Sequence, residues 1–216
     1  MNFIEEYKRY SIELRDVISE SQKQDLISFA EIHRKHTAFL SERAKIALKT
    51  LGYYGWYMPS LDHPVSYPSN LADELNNNNE KFVNNEMAKL LNKNFKQLSN
   101  AIITSNPKRI SILKQAFKAH KSKKFALSVP VFLSQADGIC KEVTKQGLYF
   151  KENKAPKTKA YVDALDNNYF LLGYLEPLRI LLPIIYSDEY LEHNMKFNRH
   201  KILHGEDYNY DNELIS

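Results

Sequence analysis

The sequence is poor in cysteine. Cys140 stands alone among 216 residues, so no internal disulfide can form and a cystine-stapled scaffold is excluded. A single thiol without CxxC spacing also excludes a zinc-ribbon type of thiolate cluster. Glycine is scarce too, with only Gly52, Gly55, Gly138, Gly147, Gly173 and Gly205. These positions assemble neither GxGxxG nor GxxxxGK[ST], which excludes the dinucleotide fingerprint and the P-loop. So few glycines also argue against a fold of many tight hairpins. Long apolar runs are missing. The most apolar stretch, Tyr169 to Tyr186, is interrupted by Glu176, Pro177, Arg179 and Pro183, whereas a membrane span needs ~20 uninterrupted residues. The N-terminus, MNFIEEYKRY, lacks the basic-then-apolar order of a signal peptide. The expected setting is a reducing cytoplasm.

What is present suits a globular chain: 43% hydrophobic and 26% charged residues. The net charge of +4 is unevenly spread. Residues 1–105 are neutral overall, residues 106–160 carry +10, and residues 161–216 carry −6. A basic middle and an acidic end fit either a polyanion-binding surface or two faces that neutralise each other.

The apolar spacing is helical almost throughout. Ile4, Tyr7, Tyr10, Leu14 and Val17 fall on one helix face, and a second run covers 24–51. Residues 52–70 break the period with three prolines and two glycines, so a loop is expected there. It is rich in aromatics, including the only tryptophan, Trp56. Those rings either close a core edge or offer a stacking surface. A helical pattern over 71–103 contains the run NNNN at 76–79, read as a bend. Ser105-Asn106-Pro107 reads as a capped helix start and as a domain boundary.

The next helix carries Ile110, Leu113, Phe117 and His120 on one stripe, with Lys108, Lys114, Lys118 and Lys121 largely elsewhere. A further helix over 124–146 has Phe125, Val129, Phe132, Ala136, Ile139, Cys140 and Val143 at core spacing. Pro130 predicts a kink or a start nearer Val129, and Gly147 is expected to close it. KENKAPKTKA (151–160) reads as a basic linker. Helical patterns return at 161–164 and 169–186, and a last helix after Ser187 is expected to stop at His204-Gly205. The fold class is therefore all-α: an N-terminal helical region over 1–105 and a helical domain over 106–216.

The densest reactive cluster is His193, Asn198, Arg199, His200 and His204, followed by Glu206 and Asp207. His200 and His204 share a helix face. Arg199 and His204 are five apart, about 140° around a regular helix, so one helix does not aim them at one atom. Three readings remain open on the residues alone. His193, His200 and His204 could ligate a metal, completed by Glu206 or Asp207. Arg and His could simply solvate a helix C-terminus. Or a histidine could shuttle a proton while the planar arginine fork holds a phosphate.

The stretch NRHKILHG (198–205) resembles the signature of the HEPN superfamily, in which an arginine, often followed by a polar residue, precedes a histidine by four to six residues. FALSVPVFLSQADGICKEV (125–143) resembles the inner helix of many such proteins, with Asp137 at the acidic position before glycine. The resemblance covers roughly residues 107–210. It implies a helical bundle and a metal-independent endoribonuclease without a cofactor, as in phage defence or toxin–antitoxin systems. The implied partners are RNA, a second copy of the chain that shares one cleft, and an antitoxin or defence protein. Residue by residue, it implies His204 as acid or base, Arg199 on the scissile phosphate and His200 as the polar neighbour, with Asp137 and Asn198 supporting. Lys108, Arg109, Lys114, Lys118, Lys121, Lys123 and Lys124 would track the RNA backbone. The alternative it leaves is a non-catalytic module that binds a nucleotide or protein. The motif is commonly followed by a further helix. Here GEDYNYDNELIS follows, so a short last element or a fragment of a longer chain is expected.

Overall fold

The helical periodicity folds as expected into an all-α structure, with one short two-stranded hairpin as the β component among the described residues. The structure, a computed structural model, describes residues 24, 28, 42–59, 61, 63–153, 155–165, 174–182, 184 and 199–213. The expected helix over 3–17 and the expected start after Ser187 lie outside them. The chain divides into two compact units, Met1–Glu42 and Arg43–Ser216. The candidate site and the elements around it belong to the second.

Helix α1 covers 43–53, α2 Tyr67–Asn76 and α3 Glu80–Ser105. They close on one core of Leu48, Leu51, Met58, Leu71, Leu75, Val83 and Met87. Each such side chain stabilises the fold by about 1.5–3 kcal/mol relative to exposure. The aromatic segment is tethered to this core. Trp56 packs against it and donates its indole N–H to Asn84 Oδ1 at 2.8 Å. The tyrosine ring of Tyr54 remains exposed. The asparagine run is the α2–α3 turn. Asn78 takes φ 61°, a left-handed conformation that asparagine tolerates better than most residues.

Pro107 ends α3 by steric exclusion. It drives Asn106 to φ −126°, ψ 67°, out of the helical region. Asn106 does not cap the next helix as expected; its Nδ2 donates back to Ile102 O at 2.7 Å, satisfying the end of α3. A short 3₁₀ turn, Pro107–Arg109, leads into α4, Ile110–Lys121. The expected boundary at 105/106 thus falls inside the compact unit. Aromatic packing across this turn explains why: Phe95 of α3 stacks on His120 and meets Phe117 edge-on.

Helix α5, Phe125–Thr144, runs unbroken through Pro130. Its start is at Phe125 rather than Val129. Its N-terminus lacks a local capping side chain, and Asp211, 85 positions on, accepts the Ala126 N–H at 2.9 Å. Phe125, Ser128, Val129 and Leu133 are buried, whereas Ala136 and Val143 are exposed, so the buried stripe is shorter than the spacing predicted. Lys145, at φ 62°, closes α5 in place of the expected Gly147. The basic linker forms β1, Lys151–Glu152, paired antiparallel with β2, Ala155–Pro156. A short α6, Lys159–Asp163, follows, and α7, Arg199–His204, carries the candidate site.

His120 sits among Phe95, Phe117, Phe125 and Phe132, with ring centroids 5.4–5.8 Å apart where it is a partner. Its Nδ1 is buried without a hydrogen bond. Burial pushes its pKa below the ordinary value, against the pull of Glu213. A histidine held neutral in the native state contributes full stability above its unfolded pKa of about 6.5 and loses it as pH falls. Thermal melting between pH 7.5 and 5 is therefore expected to show an acid-side decline. His120→Phe should flatten that decline; an unchanged pH profile contradicts the assignment.

Candidate functional site

Among the described residues, helix α7 covers Arg199–His204 and coincides with the arginine–histidine motif. Ile202, 4% exposed, fastens it to Phe125, Val129 and Leu133 of α5. Its end is set by Gly205 at φ +75°. Glu206 N–H reaches Lys201 O at 2.8 Å, and Gly205 N–H reaches Ile202 O at 3.2 Å. This is the hydrogen-bond pattern of a Schellman cap, in which glycine meets no steric penalty.

The two ends of α7 face different surroundings. Arg199 is half-buried. Its Nε donates to Ile184 O at 2.7 Å, and its guanidinium carbon lies 4.2 Å from the centroid of the Tyr149 ring. Burial pushes the guanidinium pKa below its ordinary value, and Tyr149 and Asp137 offset part of that shift. Tyr149 donates its hydroxyl to Leu133 O at 2.9 Å. Burial also drives the Tyr149 hydroxyl pKa upward, while Arg199 opposes the change. At the other end His204 is exposed, and its ring meets that of His200 at a tilt of 49° with centroids 4.3 Å apart. Arg199 is thus half-buried against Tyr149 and Ile184, whereas His204 is exposed.

No family model, curated protein or solved structure matches this chain.

Asp137 belongs to the same neighbourhood as Arg199. Its Oδ1 accepts the Leu148 N–H at 2.7 Å, in the turn that carries Tyr149. The sequence does not single out Tyr149, because nothing in QGLYF marks a ring that will lie beneath an arginine. Asn198 and His193 lie outside the described residues. Among the described residues, no three His, Cys, Asp or Glu side chains gather as a metal-ligand set. None of the described helices is long and apolar enough to cross a membrane.

The basic side chains separate into two kinds. Lys108, Lys114, Lys118, Lys121, Lys123 and Lys124 are exposed. The α4–α5 turn groups three of them and forms a second Schellman cap. Lys124 N–H bonds Ala119 O at 2.9 Å and Lys123 N–H bonds His120 O at 2.8 Å, with Lys123 at φ 57° where glycine is usual. Arg109 does not belong with these lysines. Its Nη1 donates to Gln135 Oε1 at 2.7 Å and its Nη2 pairs with Glu142 at 2.8 Å. Gly138 makes room for it: a Cβ there would stand 2.7 Å from Arg109 Nη2. Arg109 therefore clamps the start of α4 to α5. Its expected role as an RNA contact does not follow from this geometry.

This division has a measurable consequence. Arg109→Ala should lower stability by about 1–3 kcal/mol, from lost charge-assisted bonds, and, on the expectation that the chain binds RNA, leave the salt dependence of that binding unchanged. Lys118→Ala should do the reverse, reducing the slope of log K against log salt by about 0.7–0.9. Fluorescence titration at several salt concentrations, beside thermal melts, separates the two.

Proposed function

We propose that this chain is a metal-independent endoribonuclease of HEPN type. The observation that supports it most is that the described part of the motif, Arg199–Gly205, forms a helix and its cap, with the guanidinium of Arg199 half-buried, His204 exposed, and the His200 and His204 rings in contact. In this reading His204 takes the proton of a ribose 2′-hydroxyl. The oxygen attacks phosphorus, the bond to the 5′-oxygen breaks, and that oxygen gains a proton. The products are a 2′,3′-cyclic phosphate and a 5′-hydroxyl. Arg199 stabilises the charge that builds on the phosphoryl oxygens. Because Arg199 and His204 diverge on α7, the reaction calls for two copies facing across one cleft. The exposed lysines of α4 and the α4–α5 turn supply a surface for the RNA backbone. A role in phage defence or with an antitoxin belongs to the same reading.

A second reading is favoured by the environment of Arg199. Its Nε is committed to Ile184 O and its face to Tyr149, as suits a helical module that binds an anion or a protein without cleaving. Incubation with total RNA in the presence of EDTA decides between them. Chelator-resistant cleavage that disappears in His204→Ala and in Arg199→Ala supports the enzyme. Intact RNA with wild-type protein, or cleavage that both variants retain, sinks it and leaves the binding module.

A further inference from the structure

The turn 147–150 brings together groups from separate parts of the chain. Leu148 N–H donates to Asp137 Oδ1 of α5 at 2.7 Å. One residue later, the Tyr149 hydroxyl donates to Leu133 O, also on α5, at 2.9 Å. The turn thus hangs from α5 by two bonds on either side of the Tyr149 ring. Gly147 allows the close approach: a Cβ there would lie 2.3 Å from the Phe150 ring and 3.3 Å from Asp137 Oδ1. The face of the fixed ring then receives the Arg199 guanidinium at 4.2 Å, while Arg199 Nε is held by Ile184 O at 2.7 Å.

A guanidinium is planar, and its attraction to a phosphate depends on the direction of its fork. Left in water, its side chain samples many rotamers. Here one hydrogen bond fixes Nε and a ring face fixes the plane, which the quadrupole of the ring also favours electrostatically. We infer that Tyr149, held in place by Asp137 and the backbone of α5, is a positioning residue for Arg199. Asp137 thereby acquires a role at one remove: it sets the turn that sets the ring. The inference rests on the ribonuclease reading for its consequence in catalysis, but the restraint on Arg199 is a property of the fold alone.

The test uses the whole chain and reads both levels. At the catalytic level, Tyr149→Leu removes the ring face and is expected to lower kcat on RNA about 10- to 100-fold with KM little changed, the effect of a misdirected group. Tyr149→Phe keeps the ring and should retain kcat within a few fold. Asp137→Asn, which keeps an acceptor oxygen for Leu148, should rescue most of what Asp137→Ala loses. At the structural level, NMR measures exchange of the Arg199 Nε proton with water. It should be slow in wild type and in Tyr149→Phe, and should approach the rate of free arginine in Tyr149→Leu. Free-arginine exchange in the wild type overturns the inference without any variant. So does unchanged exchange in a Tyr149→Leu protein that melts like wild type. Slow wild-type exchange that Tyr149→Leu accelerates, without any RNA cleavage by the wild type, supports the restraint and rejects the ribonuclease reading instead.

Discussion

On the ribonuclease reading, replacement of His204 by alanine is expected to reduce RNA cleavage by about 10²- to 10⁴-fold, the range for loss of a general acid or base. Melting should stay near wild type. The side chain is exposed and its ring contact is with His200, and surface substitutions of this kind usually change stability by no more than about 0.5 kcal/mol. An imidazole is suited to the step because its unperturbed pKa near ~6.5 lets it take and return a proton close to neutrality. Arg199→Ala should also abolish cleavage, but by a different route. It removes charge stabilisation worth about 10²- to 10³-fold and also the bond to Ile184 O and the stack on Tyr149, so its melting temperature should fall. Single-turnover cleavage measured beside thermal melts distinguishes the two. A His204→Ala enzyme with full activity leaves the histidine as a helix-end residue only.

Ile202→Ala is expected to lower the unfolding free energy by about 2–5 kcal/mol, as for other large-to-small changes in a core. The consequence is more local than that figure suggests. The buried contact of the described part of α7 is made by Ile202 on Phe125, Val129 and Leu133. Arg199 and His204 should therefore lose their placement before the rest of the bundle unfolds. Amide exchange measured at α7 and at α3 checks this: the variant should open α7 while Val83 and Met87, both fully buried, stay protected. Equal loss of protection at both sites would instead mean that α7 is integral to a single cooperative unit.

The elements most legible in the sequence are those set by local chemistry. The NNNN bend, the stop at His204-Gly205 and the end of α3 before Pro107 each follow from backbone preferences of one or two residues. Expectation and structure part where a local rule meets a distant partner. Asn106 looks like a cap for the helix ahead and instead completes the helix behind. Gly147 looks like the stop of α5, yet Lys145 takes the left-handed position and Gly147 serves a close approach to Phe150 and Asp137. Arg109 looks like one more cation in a basic block and is an internal clamp. No rule of spacing distinguishes Arg109 from Lys108, because the difference is made by Gln135, Gly138 and Glu142 on another helix.

The low counts of cysteine and glycine and the absence of long apolar runs already exclude disulfide scaffolds, P-loops, dinucleotide folds and a simple membrane span. Helical periodicity settles the all-α class, since a 3–4 spacing buries one face only when the backbone is helical. The 140° between Arg199 and His204 is likewise a property of sequence spacing, at about 100° per residue. The tertiary structure decides which pole of α7 is buried, which cations are exposed, and what holds Arg199. Those outcomes depend on a tyrosine ring and two backbone carbonyls brought in from Tyr149, Leu133 and Ile184. A carbonyl oxygen is the same in every residue, so its use as a partner is decided by packing and leaves no mark in the sequence.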